Sequence, residues 1–228
     1  MTDQNLTHLY FLLDRSGSMA SIRSETEAGF NAFIAEQRTA PGRCLVTLAQ
    51  FDDHYEEVYA ARPVNEVPPL HLAPRGTTAL LDSIGRLVTT AGERLAALPE
   101  HDRPGTVIVG IMTDGHENAS HEWGFGAVRA LIEQQTTIYS WDFLYMGADQ
   151  DAIEVGAQLG VSREQSLTYD RHRVGSAYAS ASGNISAMRA ARAAGASPAA
   201  AREKLAFTEA QRNDAGADRR RGLSLIHI

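Results

Sequence analysis

Leu9-Tyr10-Phe11-Leu12-Leu13-Asp14-Arg15-Ser16-Gly17-Ser18-Met19 passes without a break from five apolar side chains to a run of oxygen-bearing ones. The apolar run Leu9 to Leu13 reads as a strand buried on both faces, as in parallel sheets. Side chains in an extended segment repeat with a period of two, so Asp14, Ser16 and Ser18 point the same way. Gly17 has no Cβ and lets the backbone fold around whatever they face. One carboxylate and two hydroxyls form a set of hard oxygen donors, which suits Mg²⁺, Mn²⁺ or Ca²⁺ better than zinc or copper.

Outward from this segment, strand-like and helix-like patterns alternate from residue 5 to residue 192. Ile22, Phe30, Phe33 and Ile34 recur at helical spacing up to about Gln37. Cys44 to Phe51 predicts a second strand, and Asp52-Asp53-His54 a turn into a third, Glu57 to Arg62, close enough to pair antiparallel. Prolines 63, 68, 69 and 74 then interrupt regular structure. Leu80, Leu81, Ile84, Leu87, Val88, Ala91 and Leu95 mark the apolar face of a long helix that ends before Pro99 to Gly105. Strand Val107 to Met112, helix Gly126 to Gln135, strand Ile138 to Leu144, helix Ala152 to Leu159, strand Ser166 to Tyr169 and helix Ser176 to Arg192 complete the series. Such alternation predicts an α/β fold: a doubly wound, mostly parallel sheet with one antiparallel edge strand and helices on both faces.

Two further segments belong with the opening one: Gly76-Thr77-Thr78-Ala79-Leu80 and Met112-Thr113-Asp114-Gly115. Strand Val107 to Met112 ends beside Asp114 as strand Leu9 to Leu13 ends beside Asp14. In a parallel sheet both carboxylates emerge at the C-terminal edge, where such folds place ligands. Asp-x-Ser-x-Ser, then Gly-x-Thr-x-Leu, then Thr-Asp-Gly, in this order and separation, resembles the von Willebrand factor A (VWA) domain, of bacterial type. The resemblance covers roughly residues 5 to 192 and implies a Rossmann-like VWA fold with a metal-ion-dependent adhesion site (MIDAS). Carried over by position, Ser16, Ser18 and Thr78 supply hydroxyls, while Asp14 and Asp114 hold the metal directly or through water. Thr78 is preferred to Thr77 because it stands two residues before the leucine that opens the helix face. Five protein groups leave an octahedral ion at least one position for something else. Two carboxylates only neutralise a divalent ion, so an Asp or Glu of a partner protein can replace water there. The resemblance thus implies metal-bridged adhesion and no catalytic turnover.

Composition sets the remaining bounds. The chain has 228 residues, 43% hydrophobic and 21% charged, within the globular range and enough for one full core. Its net charge of −7 is uneven: residues 1 to 170 carry −13 and residues 171 to 228 carry +6. The main body is therefore a poor nucleic-acid binder. Lys204 is the only lysine among 21 basic residues, and alanine abounds in the C-terminal third, as a GC-rich bacterial genome would produce. The lone Cys44 cannot form an internal disulfide, and no basic segment with a long apolar stretch opens the chain. A soluble, cytoplasmic protein is the expectation, with no membrane association. Beyond Ala193 the pattern decays, so residues 193–222 are read as an Ala/Arg-rich segment, helical or disordered. The last six residues, 223–228, resemble a translated sequencing adapter and are read as non-native.

Singly, each element has a plainer reading. Asp14 or Ser18 could cap the following helix, Thr113-Asp114-Gly115 could be a turn, and Gly76-Thr77-Thr78 could be a loop ending at an N-cap. Together, in order and at strand ends, they favour a metal site. His116 and His121 evoke a zinc-protease helix but stand five residues apart, about 140° around a helix, so their rings diverge. Asn118-Ala119-Ser120 is read as the start of a helix. A P-loop would need a lysine after its glycine, and no Gly-x-Ser-x-Gly elbow surrounds Ser16 or Ser18. The enzymatic alternative is a Mg-dependent, phosphatase-like hydrolase with Asp14 as nucleophile. It would need a second carboxylate two residues on, where Ser16 stands. Asp149 and Asp151 are read as helix caps, Asp52 and Asp53 as hairpin residues, and Arg219-Arg220-Arg221 as a solvated run.

Overall fold

The computed structural model describes residues 1–148 and 151–216. The readings of Asp149, of Arg219 to Arg221 and of the six-residue tail lie outside them. One six-stranded sheet has the order β3-β2-β1-β4-β5-β6, from β1 (Asp3–Asp14), β2 (Arg43–Phe51), β3 (Tyr55–Pro63), β4 (Pro104–Thr113), β5 (Asp142–Ala148) and β6 (Ser166–Tyr169). Every neighbouring pair is parallel except β2 with β3, an antiparallel hairpin at the edge.

Alternation along β1 divides the core in two. Leu9, Phe11 and Leu13 face α1 (Arg23–Thr39) and α5 (Val174–Ala193), whereas Tyr10 and Leu12 face α2 (Leu80–Ala97) and α3 (Phe125–Ile138). Phe11 packs edge-on against Phe30 and Phe33, at ring-centroid distances of 5.3 and 4.8 Å. Such contacts add about 0.5–1.5 kcal/mol each beyond area burial. Buried Arg189 of α5 donates to the carbonyls of Gln37 and Gly42, at 2.7 and 3.0 Å, and so satisfies the end of α1. A guanidinium suits that place, where helix carbonyls lack partners.

Two local expectations are corrected. The segment Ile138 to Leu144 is not one strand: Ile138 ends α3, and β5 begins at Asp142. Ile138 and Tyr139 are exposed, Ser140 takes a left-handed φ of 57°, and Trp141 N donates to the Gln135 carbonyl at 3.0 Å. The β-branched and aromatic residues there close a helix before the strand starts. Nor do Asn118 to Ser120 begin a helix, because their polar groups are used by the start of α2. Asn118 Oδ1 accepts from Thr78 N, Glu117 Oε2 from Leu81 N and Ser120 Oγ from Asp82 N.

α4 (Ala152–Leu159) opens on Asp151, whose carboxylate accepts from Ile153 N and Glu154 N, as its capping role requires. After α5 the chain continues into α6 (Pro198–Arg202) and α7 (Glu209–Asp214), and Ala201, Leu205, Phe207 and Ala215 join the core cluster beneath α5. Among the described residues no helix is long and apolar enough to cross a membrane.

Candidate metal centre

Chain order reverses on either side of β1: β2 follows on one flank, while β4 is laid on the other. The crevice at such a switch point, above the strands' C-terminal ends, is the usual ligand position in an open α/β sheet. Leu13 is in register with Met112, so Asp14 and the Thr113-Asp114 step leave adjacent strands side by side.

Asp14 is fully buried. One of its oxygens accepts from Ser16 N at 2.6 Å, the other from the Thr113 hydroxyl at 2.5 Å. Ser16 Oγ lies 3.0 Å from Ser18 Oγ, and Ser18 Oγ donates to Asp114 Oδ1 at 2.6 Å. The hydroxyls thus link the two carboxylates in one chain of hydrogen bonds. Ser16 and Ser18 cap neither the 3-10 turn Gly17–Ile22 nor α1, and Thr78 does not cap α2. Thr78 is buried and Thr77 exposed. A Cβ placed on Gly115 would lie 2.9 Å from Thr78 Oγ1 and 3.6 Å from Asp14 Oδ2, so the bare glycine leaves a small space bordered by both groups. Burial first, with Asp114 adding to it, pushes the Asp14 carboxyl up to about 6 against the hydrogen bonds that favour its charge. A buried anion beside a second anion is the condition a cation relieves. The residues present therefore fit a hard divalent ion: two carboxylates, three hydroxyls and a cradle that a side chain at position 115 would fill.

The loops are tied from outside. Gly17 N donates to Gly76 O at 3.2 Å and Arg75 N to Arg15 O at 2.8 Å. Gly76 has φ +66°, and a Cβ there would meet Asp53 Oδ1 at 2.4 Å. Asp52 is more than a hairpin residue: fully buried, it accepts from Arg15 Nε, Arg75 Nε and His54 N at 2.9, 2.8 and 2.7 Å. Asp52, Asp53 and His54 bring ligand-type atoms within 4.8 Å of one another. The two guanidiniums already neutralise Asp52, which makes this group a strut between loops. On the far side, Asp82 accepts from His121 N, Glu122 N and Trp123 N at 2.7–2.9 Å and holds the loop after Asp114 against α2.

Three groups at this edge went unassigned in the sequence. Thr113 holds Asp14. Tyr169 reaches Thr113 O at 3.4 Å beneath the site, and burial, Tyr178 and the Asp114 and Asp14 charges all raise its phenol. Arg171 Nη2 lies 3.3 Å from Asp114 Oδ2 and donates to Asp114 O at 3.2 Å. The end of β6 shares the edge with Asp14 and Asp114, and that rule alone would have led to Tyr169 and Arg171.

No family model matches the sequence, and no curated protein matches it. Solved structures do match in fold. The vWF domain of the type V pili tip protein Mfa5 from Porphyromonas gingivalis has a TM-score of 0.54 at 10% identity, over 78% of this chain and 94% of that one. Proximal thread matrix protein 1 from the mussel byssus, with a zinc-occupied MIDAS motif, gives 0.51 at 15% identity, over 73% and 42%. The von Willebrand factor type A protein from Catenulispora acidiphila gives 0.50 at 15%, over 83% and 43%. This chain spans less than half the length of the last two. The fold is the VWA fold, with β3 as its antiparallel edge strand.

Proposed function

We propose that the protein is a divalent-metal-dependent protein-protein interaction module. Asp14, Ser16, Ser18, Thr78 and Asp114 would hold Mg²⁺, Mn²⁺ or Ca²⁺, and a partner's Asp or Glu would complete the coordination. The observation that carries this reading is the meeting of Asp14 and Asp114, joined through Ser16 and Ser18, at the switch point of the sheet. The zinc-occupied MIDAS motif of the mussel protein, on the same fold, supports it. When bound, the ion supplies an electrophilic position for an anionic ligand. The protein's part is to keep donors fixed: Ser16 N and Thr113 orient Asp14, Ser18 orients Asp114, and Asp82 and Asp52 brace the loops. Asp14 is buried with both oxygens engaged, which suits holding an ion and not in-line attack on phosphorus. The proposal therefore assigns no turnover. It also includes a cytoplasmic setting, on the single, buried, unpaired Cys44, and no nucleic acid or membrane as partner.

Isothermal titration of MgCl₂ and MnCl₂ into the wild type and Asp14→Ala tests the site. Saturable binding by the wild type that disappears in the variant is expected; equal binding by both would sink the reading.

A further inference from the structure

At the end of the sheet away from the metal centre, α2 and α3 leave a cavity of about 360 Å³ over the start of β4 and the residues that precede β5. Sites for small organic ligands run from roughly 300 to 1,000 Å³. Val88 and Leu95 of α2, Val107 of β4 and Leu131 of α3 line it with apolar surface, and Trp141 adds an indole to the wall. That indole is buried and fixed in place, stacked between Tyr10 at 6.2 Å and Phe143 at 6.4 Å.

Two features of the wall are not explained by packing. Gln135 is only 8% exposed, yet its side-chain carboxamide makes no hydrogen bond among the described residues, while its backbone carbonyl accepts from Tyr139 N and Trp141 N at 3.2 and 3.0 Å. Buried amides ordinarily find partners, and one left open in a cavity wall offers both a donor and an acceptor. Gly92 faces it from the interior of α2, where glycine is less favourable than alanine. A Cβ on Gly92 would meet nothing closer than Gln135 Nε2 at 4.0 Å, an ordinary contact. Packing therefore does not require the glycine, whose effect is to keep space open in front of the carboxamide. Of the charged side chains in the wall, Arg103 spends its guanidinium on Ala96 O and Leu98 O at 2.7 and 2.9 Å, and Glu93 is exposed. The interior thus suits an uncharged ligand, with rings for the apolar walls and indole and an amide edge for Gln135.

We propose that this cavity is a second binding site, for an uncharged planar aromatic compound whose amide or lactam edge pairs with the Gln135 carboxamide. It lies at the opposite end of the strands from Asp14 and Asp114 and is independent of the metal-dependent reading. The test is calorimetric titration, in the presence of EDTA, of two probes into wild type, Gln135→Leu and Gly92→Leu. One probe is 2-quinolone, a bicyclic lactam; the other is quinoline, which keeps the rings but has no lactam N–H and C=O. The wild type is expected to bind 2-quinolone saturably at one site, on the order of tenfold more tightly than quinoline. Gln135→Leu should remove that preference and leave quinoline binding near wild type. Gly92→Leu, which fills the space, should abolish binding of both. If Gly92→Leu does not melt cooperatively, the comparison of probes on Gln135→Leu decides. No saturable binding of 2-quinolone by the wild type, equal affinity for the two probes, a preference that survives Gln135→Leu, or binding retained by folded Gly92→Leu would each overturn the proposal.

Discussion

At the residue scale, Asp14 and His8 show how β1 spends buried polarity. Asp14 is fully buried beside a second carboxylate, so an isosteric Asn removes a charge without removing shape. Asp14→Asn is expected to raise metal-free stability by about 1–3 kcal/mol and to abolish any rise in melting temperature on adding MgCl₂. Thermal denaturation with and without MgCl₂ reads both effects. His8 stacks on Tyr10 at 4.0 Å, and its Nε2 lies 2.9 Å from Thr47 Oγ1. Since that hydroxyl already accepts from Ala61 N, its proton is available for a neutral imidazole. Burial, then the nearby Arg94 charge, lowers His8 from 6.5 to about 3. The unfolded chain therefore takes up a proton that the folded chain refuses between these values. Stability should fall as pH drops through that window, by up to about 1.4 kcal/mol per pH unit from this residue. Urea titrations at pH 7.5 and 5 should show a smaller loss in His8→Gln than in the wild type; an equal loss would place the acid sensitivity elsewhere. His8 was invisible as a titrating group in the sequence because nothing local says that position 8 faces the interior and not solvent. The oxygen donors were legible, since alternate spacing and strand ends place side chains without knowledge of packing.

At the element scale, the loop after β4 depends on α2 more than on itself. Gly85 in α2 lies under the Trp123 indole, where a Cβ would come within 2.3 Å of the ring, while Asp82 three residues earlier grips the backbone of 121–123. Gly85→Ala should help α2 by propensity, about 1 kcal/mol, yet expel Trp123. The expected net effect is destabilisation by about 1–3 kcal/mol with weaker Mn²⁺ binding, measured by chemical denaturation and calorimetry. The sequence signalled α1 and α2 through their apolar faces and placed α3, α4 and α5 within the alternating series. It misled where long-range bonds decide: Glu117, Asn118 and Ser120 spend their polar groups on α2, and the α3 boundary at Ile138 is set by exposure. β5 consequently starts four residues later than its residue types suggest.

At the scale of the whole molecule, the strands made first and last define the architecture. The short edge strand β6 is covered by the C-terminal segment: Arg212 donates to Ser166 O at 2.8 Å, Phe207 N to Glu164 O and Asp170 N to Ala215 O. Phe207→Ala is expected to cost about 3–5 kcal/mol, and ending the chain after Ala193 should expose that edge and promote association, seen by size-exclusion chromatography. The chain-wide pattern predicted the sheet's layout well, because alternation and strand-end motifs are local. The packing of residues 198–216 left little trace in an alanine-rich composition. The central position of β1 also orders events in time. Asp14 leaves the ribosome well before Asp114, which joins it only after β4 has been synthesised and has found β1 across an intervening hairpin and two helices. A metal ion bound between them would thus be a late witness to folding, slowing escape from the native state while leaving the rate of reaching it unchanged.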